Sequence, residues 1–293
     1  FPEIPIGPHC NDPYGCPLTE ICWKNVPERS VFTLTRSGKK AFEWFHSGYR
    51  CLADLDKNCV LSKNQRVQVD TTIRGKPFVD REAIRSFLAS LEHPLYYLDF
   101  ETLYAAIPLF DHSRPYQQIP FQFSLHVVER PDAKPCHHLF LADDAADPRE
   151  KFITQLKPLM GACGSIVAFN ATFEKQRLQD CAELFPKHQA WLQQIERRFV
   201  DLQQPFRSFS YYHPSQDGSA SLKAVLPALT GRNYDQLVIQ DGGCASREFL
   251  RMTRCTVSQH ERKRIRSALE KYCHLDTEGM IHIVEQLGKL SKD

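Results

Sequence analysis

The 293-residue sequence has no apolar run approaching the about 20 residues that a transmembrane helix needs, so it does not read as a membrane-spanning chain. Its start, FPEIPIGPHC, has neither the basic stretch nor the apolar core of a signal peptide. An initiator methionine is missing as well, which reads as a piece of a longer protein. There is no excess of one charge: the formal net charge is +2, too near neutral to imply a nucleic-acid partner by itself. Internal repeats and low-complexity segments are absent. So is an even cysteine count. Of the 11 cysteines, Cys51, Cys59, Cys136, Cys163, Cys181, Cys244, Cys255 and Cys273 are scattered singly, often beside apolar residues. That suits reduced, mostly buried thiols in a cytoplasmic protein better than a disulfide framework. What remains is an ordinary globular composition, 42% hydrophobic and 25% charged.

The chain divides by composition into three parts. Residues 1–23 are rich in Pro, Gly and Cys and read as irregular, ligand-held structure. Residues 24–93 read as a small, mainly helical connector: a short strand at 31–35, a helix at 37–46 capped by Ser37, another at 61–73, and VDREAIRSFLASL at 79–91 with Asp80 as cap. From Pro94 onward the pattern is α/β. LYYLDFE is a strand, and IPFQFSLHVVER alternates Phe121, Phe123, Leu125 and Val127 as a half-buried strand. CHHLFLA follows the turn RPDAKP, which predicts an antiparallel meander. An amphipathic helix, PREKFITQLKPLMGAC, leads to the buried strand SIVAFN. Helical pattern then runs through 171–198, FVDL is a short apolar segment, and SLKAVLPALTG is a helix stopped by Gly231. Residues 258–290 form a long final helix with a break near Gly279. Three strands, a helix, a strand and further helices is an order compatible with a ribonuclease-H-like mixed sheet flanked by helices, preceded by a helical appendage.

Two carboxylates close the strand that starts at Leu95. In a strand, residues i and i+2 share a face, so Asp99 and Glu101 project together while Phe100 faces away. Like charges a few ångströms apart repel by about 4 kcal/mol in an intermediate dielectric. A divalent cation converts that cost into binding, whereas a solvated strand end is the bland alternative. Two further elements carry acids. In SIVAFNATFEKQRL, Glu174 falls in the first turn of a helix, a position the helix dipole stabilises in any protein. In KYCHLDTEGM, Tyr272 and Asp276 are four apart and share one helix face, as a structural tyrosine also would. The three elements in this order are more specific than any one of them.

DFET, AFNATFEKQRL and YCHLD, with SASLKAVLPAL between the second and third, resemble the DnaQ-like (DEDD) superfamily of 3′–5′ exonucleases in its tyrosine-bearing subclass. The resemblance covers roughly residues 94–290, so the expected exonuclease-like domain is 94–293. More closely, the chain resembles the C-terminal part of an uncharacterised bacterial family in which a RecB-like nuclease module precedes such a domain. The resemblance implies a metal-dependent 3′–5′ exonuclease using two Mg²⁺ or Mn²⁺ ions on DNA or RNA, at single-stranded 3′ ends. Asp99 would bridge both ions, Glu101 and Asp276 would complete the first site, Glu174 would support the second, and Tyr272 would orient the attacking water. One departure stands out: the superfamily usually has Asp where this chain has Glu174. A nucleic-acid-binding or scaffold domain with an impaired site is the alternative, and a transposase-like core a third. Asp201 in FVDL could join the acids or cap a helix.

Arg247 to Lys271 holds eight Lys/Arg against three Glu within one helical region, which is either a phosphate-binding patch or a solvated helix face. The candidate nucleic-acid contacts are Thr102 beside the first motif, Asn170 and Phe173 in the second, Lys223 in SASLKAVLPAL, and Arg262 and Arg266 in the basic run. Phe206, Phe209, Tyr211 and Tyr212 form either a base-stacking surface or core. Finally, Cys10, Cys16 and Cys22, with His9 adjacent, lack the C-x₂-C spacing of a zinc ribbon. They resemble the C-terminal part of the iron–sulfur staple of RecB-like nucleases. This implies a 4Fe–4S cluster in the parent protein, with Zn²⁺ as a substitute in this chain and free thiols as the third possibility.

Overall fold

A computed structural model describes residues 4–56 and 58–292. The first three residues of the expected 1–23 segment and the last of the 94–293 domain lie outside the described residues. The chain forms two compact units: Phe1–Asp80 with Phe206–Ala228, and Arg81–Pro205 with Leu229–Asp293. Compactness thus groups residues 206–228 with the N-terminal segment rather than with the residues around them. Among the described residues no helix is long and apolar enough to cross a membrane.

The first unit has its own core of Val31, Leu34, Trp44, Phe45, Leu52, Leu55 and Val69. Residues Val31–Thr33 form a 3-10 turn, not the expected strand. The following helix runs Lys40–His46 with Lys39, not Ser37, at its N-cap. The better cap lies further on. Ser62 and Gln65 form a reciprocal capping box on helix Lys63–Arg74, satisfying two backbone donors that a helix start leaves free. Phe78–Val79 pairs with Tyr211–Tyr212 in a two-stranded ribbon. Phe206, Phe209, Tyr211 and Tyr212 are all buried, so the aromatic run is core and not a stacking surface. Helix Leu222–Thr230 ends before Gly231, whose φ of 74° suits a residue without Cβ.

The second unit is a mixed α/β domain. Helix α1 (Arg81–Ala89) precedes β1 (Leu95–Leu103), β2 (Ile119–Val128) and β3 (Cys136–Leu141). Then come α2 (Arg149–Leu156), β4 (Ile166–Ala168), α3 (Ala171–Leu184), α4 (Gln189–Ile195) and β5 (Phe199–Asp201). The last elements are α5 (Gly242–Arg254) and α6 (Gln259–Leu290). The five strands are ordered β3-β2-β1-β4-β5. The first three form the expected antiparallel meander, and β4 and β5 continue the sheet parallel to β1. FVDL is therefore an edge strand. The helical stretch 171–198 is interrupted by 3-10 turns at Pro186–His188 and Glu196–Arg198, the first opening on a proline.

β2 was expected to be half-buried, yet all ten of its residues are buried. One face carries Phe123, which with Phe100 of β1 packs edge-on against Phe152 of α2. Each such ring contributes about 1.5–3 kcal/mol by leaving water. The other face is polar in sequence but covered by α6: Gln122 Nε2 donates to Leu269 O at 3.0 Å while its Oε1 has no partner, and Ser124 Oγ meets Thr277 Oγ1 at 2.7 Å. A polar residue survives burial when it is hydrogen-bonded, which alternation alone does not reveal. α6 runs unbroken through Gly279, which is buried in the helix. The basic run is two helices, because the segment 255–258 separates α5 from α6 and Ser258 caps the latter through Glu261 N.

Candidate metal centre

Strand parity sets Asp99 and Glu101 on the sheet face that meets α5 and α6. Register pairs them with Ser124 and Gln122 of β2, and a bulge follows between Glu101 and Thr102. Glu101 is buried at 6% exposure, and Asp99 is half-buried. Glu174 arrives from the neighbouring parallel strand. The chain leaves β4, turns through Asn170 at φ 77°, and starts α3 with Glu174 in its first turn. That turn is held by Asp201 at the end of β5, whose Oδ1 accepts from Asn170 N at 3.1 Å and Gln203 N at 2.9 Å. Acids from three adjacent strand ends thus collect at the carboxyl edge of the parallel part of the sheet, the usual place for a ligand in such a fold.

A further acid comes from α6. Its Tyr272, Cys273 and Asp276 share the face packed against β1 and β2 and are all buried. The Cys273 thiol points at Asp99 Oδ2, 3.6 Å away, and donor atoms of Asp99, Glu101 and Cys273 lie within 4.8 Å of one another. Asp276 Oδ1 accepts from the Tyr234 hydroxyl at 2.5 Å, and the two tyrosine rings, Tyr234 and Tyr272, are 6.0 Å apart. The opening residue of α5, Gly242, lies against Glu101: a Cβ built there would sit 3.7 Å from Glu101 Oε2.

The electrostatics of the cluster are those of crowded buried anions. Burial and the Asp99 charge hold the Glu174 carboxyl well above its usual range, and Asp201 adds to this. Burial, then Asp276, Glu101 and Asp99, push the Tyr272 phenol far up. Tyr234 is raised by burial and by its bond to Asp276, and Cys273 by burial and the same three carboxylates. Tyr272 and Cys273 both feel the charges of Asp99, Glu101 and Asp276. Glu174 is only 2% exposed, and its Oε2 has no hydrogen-bond partner. A buried, unpartnered carboxylate oxygen among other carboxylates fits a hard divalent cation with oxygen ligands.

The other candidates fare differently. Thr102 is buried and its hydroxyl donates to Gln118 Oε1. Asn170 is exposed at the turn, and Phe173 is half-buried with the Arg177 guanidinium 5.1 Å from its ring centre. Arg262 Nη1 donates to Asp143 O at 3.0 Å, and Arg266 pairs with Glu270 at 2.9 Å. Arg251 and Arg264 both pair with Glu261, so much of the basic run is engaged on the helix surface. Lys223 is exposed and belongs to the other unit. His9, Cys10, Cys16 and Cys22 do not gather: among the described residues, two groups of three close donor atoms occur and neither includes them. Cys10 is buried while Cys22 is exposed, so their thiols sit in unlike surroundings. Tyr234, Cys273 and Gly242 escaped the sequence reading. Only Cys273, inside YCHLD, lay within a motif already in view.

A mixed sheet with buried acids at its carboxyl edge is the class the structure defines. Residues 96–221 match the family described as "Domain of unknown function (DUF2779)", a stretch that includes Asp99, Glu101, Glu174 and Asp201 but not Tyr272 or Asp276. The chain is similar to an uncharacterised protein of Mycoplasma pneumoniae, 29% identical over 224 residues, covering 68% of this chain and 33% of that protein. A second uncharacterised protein, from Mycoplasma genitalium, is 28% identical over 215 residues, covering 67% of this chain and 32% of that protein. The chain therefore spans about a third of the length of the curated relatives it matches. No solved structure matches it.

Proposed function

We propose that the unit carrying the acids is a metal-dependent 3′–5′ exonuclease of the DnaQ-like type, on a ribonuclease-H-like fold, acting on DNA or RNA 3′ ends. The observation that carries the reading is Glu174 Oε2, a buried oxygen without a hydrogen-bond partner, on a carboxyl that feels the charges of Asp99 and Asp201. The strand order β3-β2-β1-β4-β5, with an antiparallel meander and two parallel strands, supports the fold.

Asp99, Glu101, Glu174 and Asp276 are the residues that would hold a pair of Mg²⁺ or Mn²⁺ ions. Bound there, the pair would stabilise the attacking and leaving oxygens of an in-line displacement at phosphorus. The chain's own groups do the rest. Tyr272, its phenol pushed far up, stays protonated at neutral pH and so donates a hydrogen bond; it orients water or a phosphate oxygen and accepts no proton. Tyr234 fixes Asp276 in one rotamer. Asp201 holds the turn that aims α3 at the site.

The test uses the full chain with a single-stranded oligonucleotide labelled at either end. With Mn²⁺, a 5′ label should shorten stepwise, a 3′ label should leave as mononucleotide, and Asp99→Ala should abolish both. A second reading, nucleic-acid binding with an impaired site, draws on the protonated Cys273 thiol among the donors. Strand binding without degradation, unchanged by Asp99→Ala, would favour it.

A further inference from the structure

A second group of potential ligands lies on the same sheet face, outside the acid cluster. His126 of β2 stands directly opposite His137 of β3, and His274 reaches them from α6. One nitrogen from each ring lies within 4.8 Å of one from each of the others. The ring centroids are 4.3, 4.4 and 4.8 Å apart.

The hydrogen bonds to the rings decide which nitrogens keep a lone pair. Thr277 Oγ1 donates to His274 O at 3.1 Å, spending its only proton. It therefore accepts from Ser124 Oγ at 2.7 Å and from His126 Nδ1 at 2.8 Å. Ser124, having donated, accepts from His137 Nε2 at 2.9 Å. This assignment leaves His126 Nε2 and His137 Nδ1 as the lone-pair nitrogens, which is how hydroxyls behind metal-binding histidines fix their tautomers. His137 Nδ1 and His274 Nδ1 are 3.4 Å apart. Two imidazole nitrogens bound at about 2.0–2.1 Å to a tetrahedral cation lie about 3.3–3.4 Å apart.

We propose that His126, His137 and His274 bind one borderline divalent cation of the Zn²⁺ class, with a fourth position open to solvent. Two observations support it besides the spacing. His126 is buried, His274 half-buried and His137 exposed, so a cation has an entry path. Both His137 and His274 line a cleft of about 490 Å³ with Leu139 and Glu270. An all-imidazole donor set selects Zn²⁺-like ions over Mg²⁺ or Mn²⁺, which prefer the carboxylates. Two classes of metal would then occupy two sites, and the histidine site would pin α6 to β2 and β3 two residues from Asp276.

The experiment is competition of the chelator-treated full chain for Zn²⁺ against a chromophoric indicator, with Co²⁺ substitution read by visible absorption. We expect binding tighter than micromolar, a tetrahedral Co²⁺ band, and at least a tenfold loss of affinity with loss of the band in His137→Ala. His137 is exposed, so this variant should fold, and circular dichroism checks it. Asp99→Asn should keep both signals, and nuclease activity does not enter the readout. Absence of submicromolar Zn²⁺ binding, wild-type binding in both His137→Ala and His274→Ala, or loss of binding in Asp99→Asn would each overturn the proposal. Any additional Zn²⁺ held by thiols would be untouched by His137→Ala and gives no tetrahedral all-nitrogen spectrum.

Discussion

Replacing Glu174 by Gln should make the metal-free protein more stable while disabling its site. Glu174 is 2% exposed, its Oε2 has no partner, and Asp99 and Asp201 both resist its ionisation. A buried polar atom left without a hydrogen bond costs about 1–3 kcal/mol, and an unpaired charge costs more. Gln has the same shape, no charge, and an amide that can donate to the acids around it. In a chelator at pH 8, Glu174→Gln should therefore gain about 1–3 kcal/mol, or about 2–12 °C in unfolding midpoint for a domain of this size. The pH dependence has a definite sign. Glu174 is raised above its ordinary value of 4.5, so the folded state binds its proton more tightly than the unfolded chain does. Its contribution is fully present below pH 4.5 and is lost as pH rises through the raised value. Metal-free wild type should lose stability over that window, and Glu174→Gln should not. Adding Mn²⁺ at about 100 times its Kd should return about 2.7 kcal/mol to the wild type and less to the variant. Thermal unfolding followed by circular dichroism, with chelator and with Mn²⁺, reads all of this. A variant less stable than wild type in chelator at pH 8, or one that gains as much from Mn²⁺, would refute the reasoning.

Tyr234→Phe removes the donor to buried Asp276 and should cost about 1.5–3 kcal/mol in denaturant unfolding, with activity falling as Asp276 loses its fixed rotamer. Tyr272→Phe should leave oligonucleotide affinity near wild type but lower kcat at least tenfold, and an unchanged kcat would remove Tyr272 from the reaction. Alkylation of the native protein followed by mass spectrometry should label Cys22, Cys136, Cys163 and Cys255, which are exposed, and spare Cys181 and Cys273 until unfolding. Burial pushes the Cys181 thiol up to about 12 and Cys273 well above its usual range, so neither supplies thiolate at neutral pH. Phe152→Ala should cost about 3–5 kcal/mol, because its ring serves both Phe100 and Phe123.

The sheet was legible where local pattern and tertiary fate agree. β1 announces itself through apolar residues ending on two acids, and the meander through its Pro-containing turn. The pattern misled where long-range packing decides. Gln122, Ser124 and His126 look like the wet side of a strand, but partners 147, 153 and 151 residues away bury them. Gly279 looks like a helix break and is instead a buried position in a continuous helix. Asp99 and Glu101 were readable through strand parity, Asp276 through its helix spacing from Tyr272, and Glu174 through its place in a first helical turn. Tyr234 was not, since nothing local distinguishes a tyrosine that reaches Asp276 from 42 residues away. The histidine group was hidden for a related reason. His126 and His137 meet only through strand register, and His274 reaches them from the last helix.

The central claim is that acids from β1, α3 and α6 form one site for divalent cations, with Asp99 shared between them. Counting Mn²⁺ ions bound by the full chain, by electron paramagnetic resonance in wild type and in Asp99→Asn, tests it most directly. Two ions in the wild type, both lost in the variant, is the predicted result; equal binding by the two proteins would contradict it.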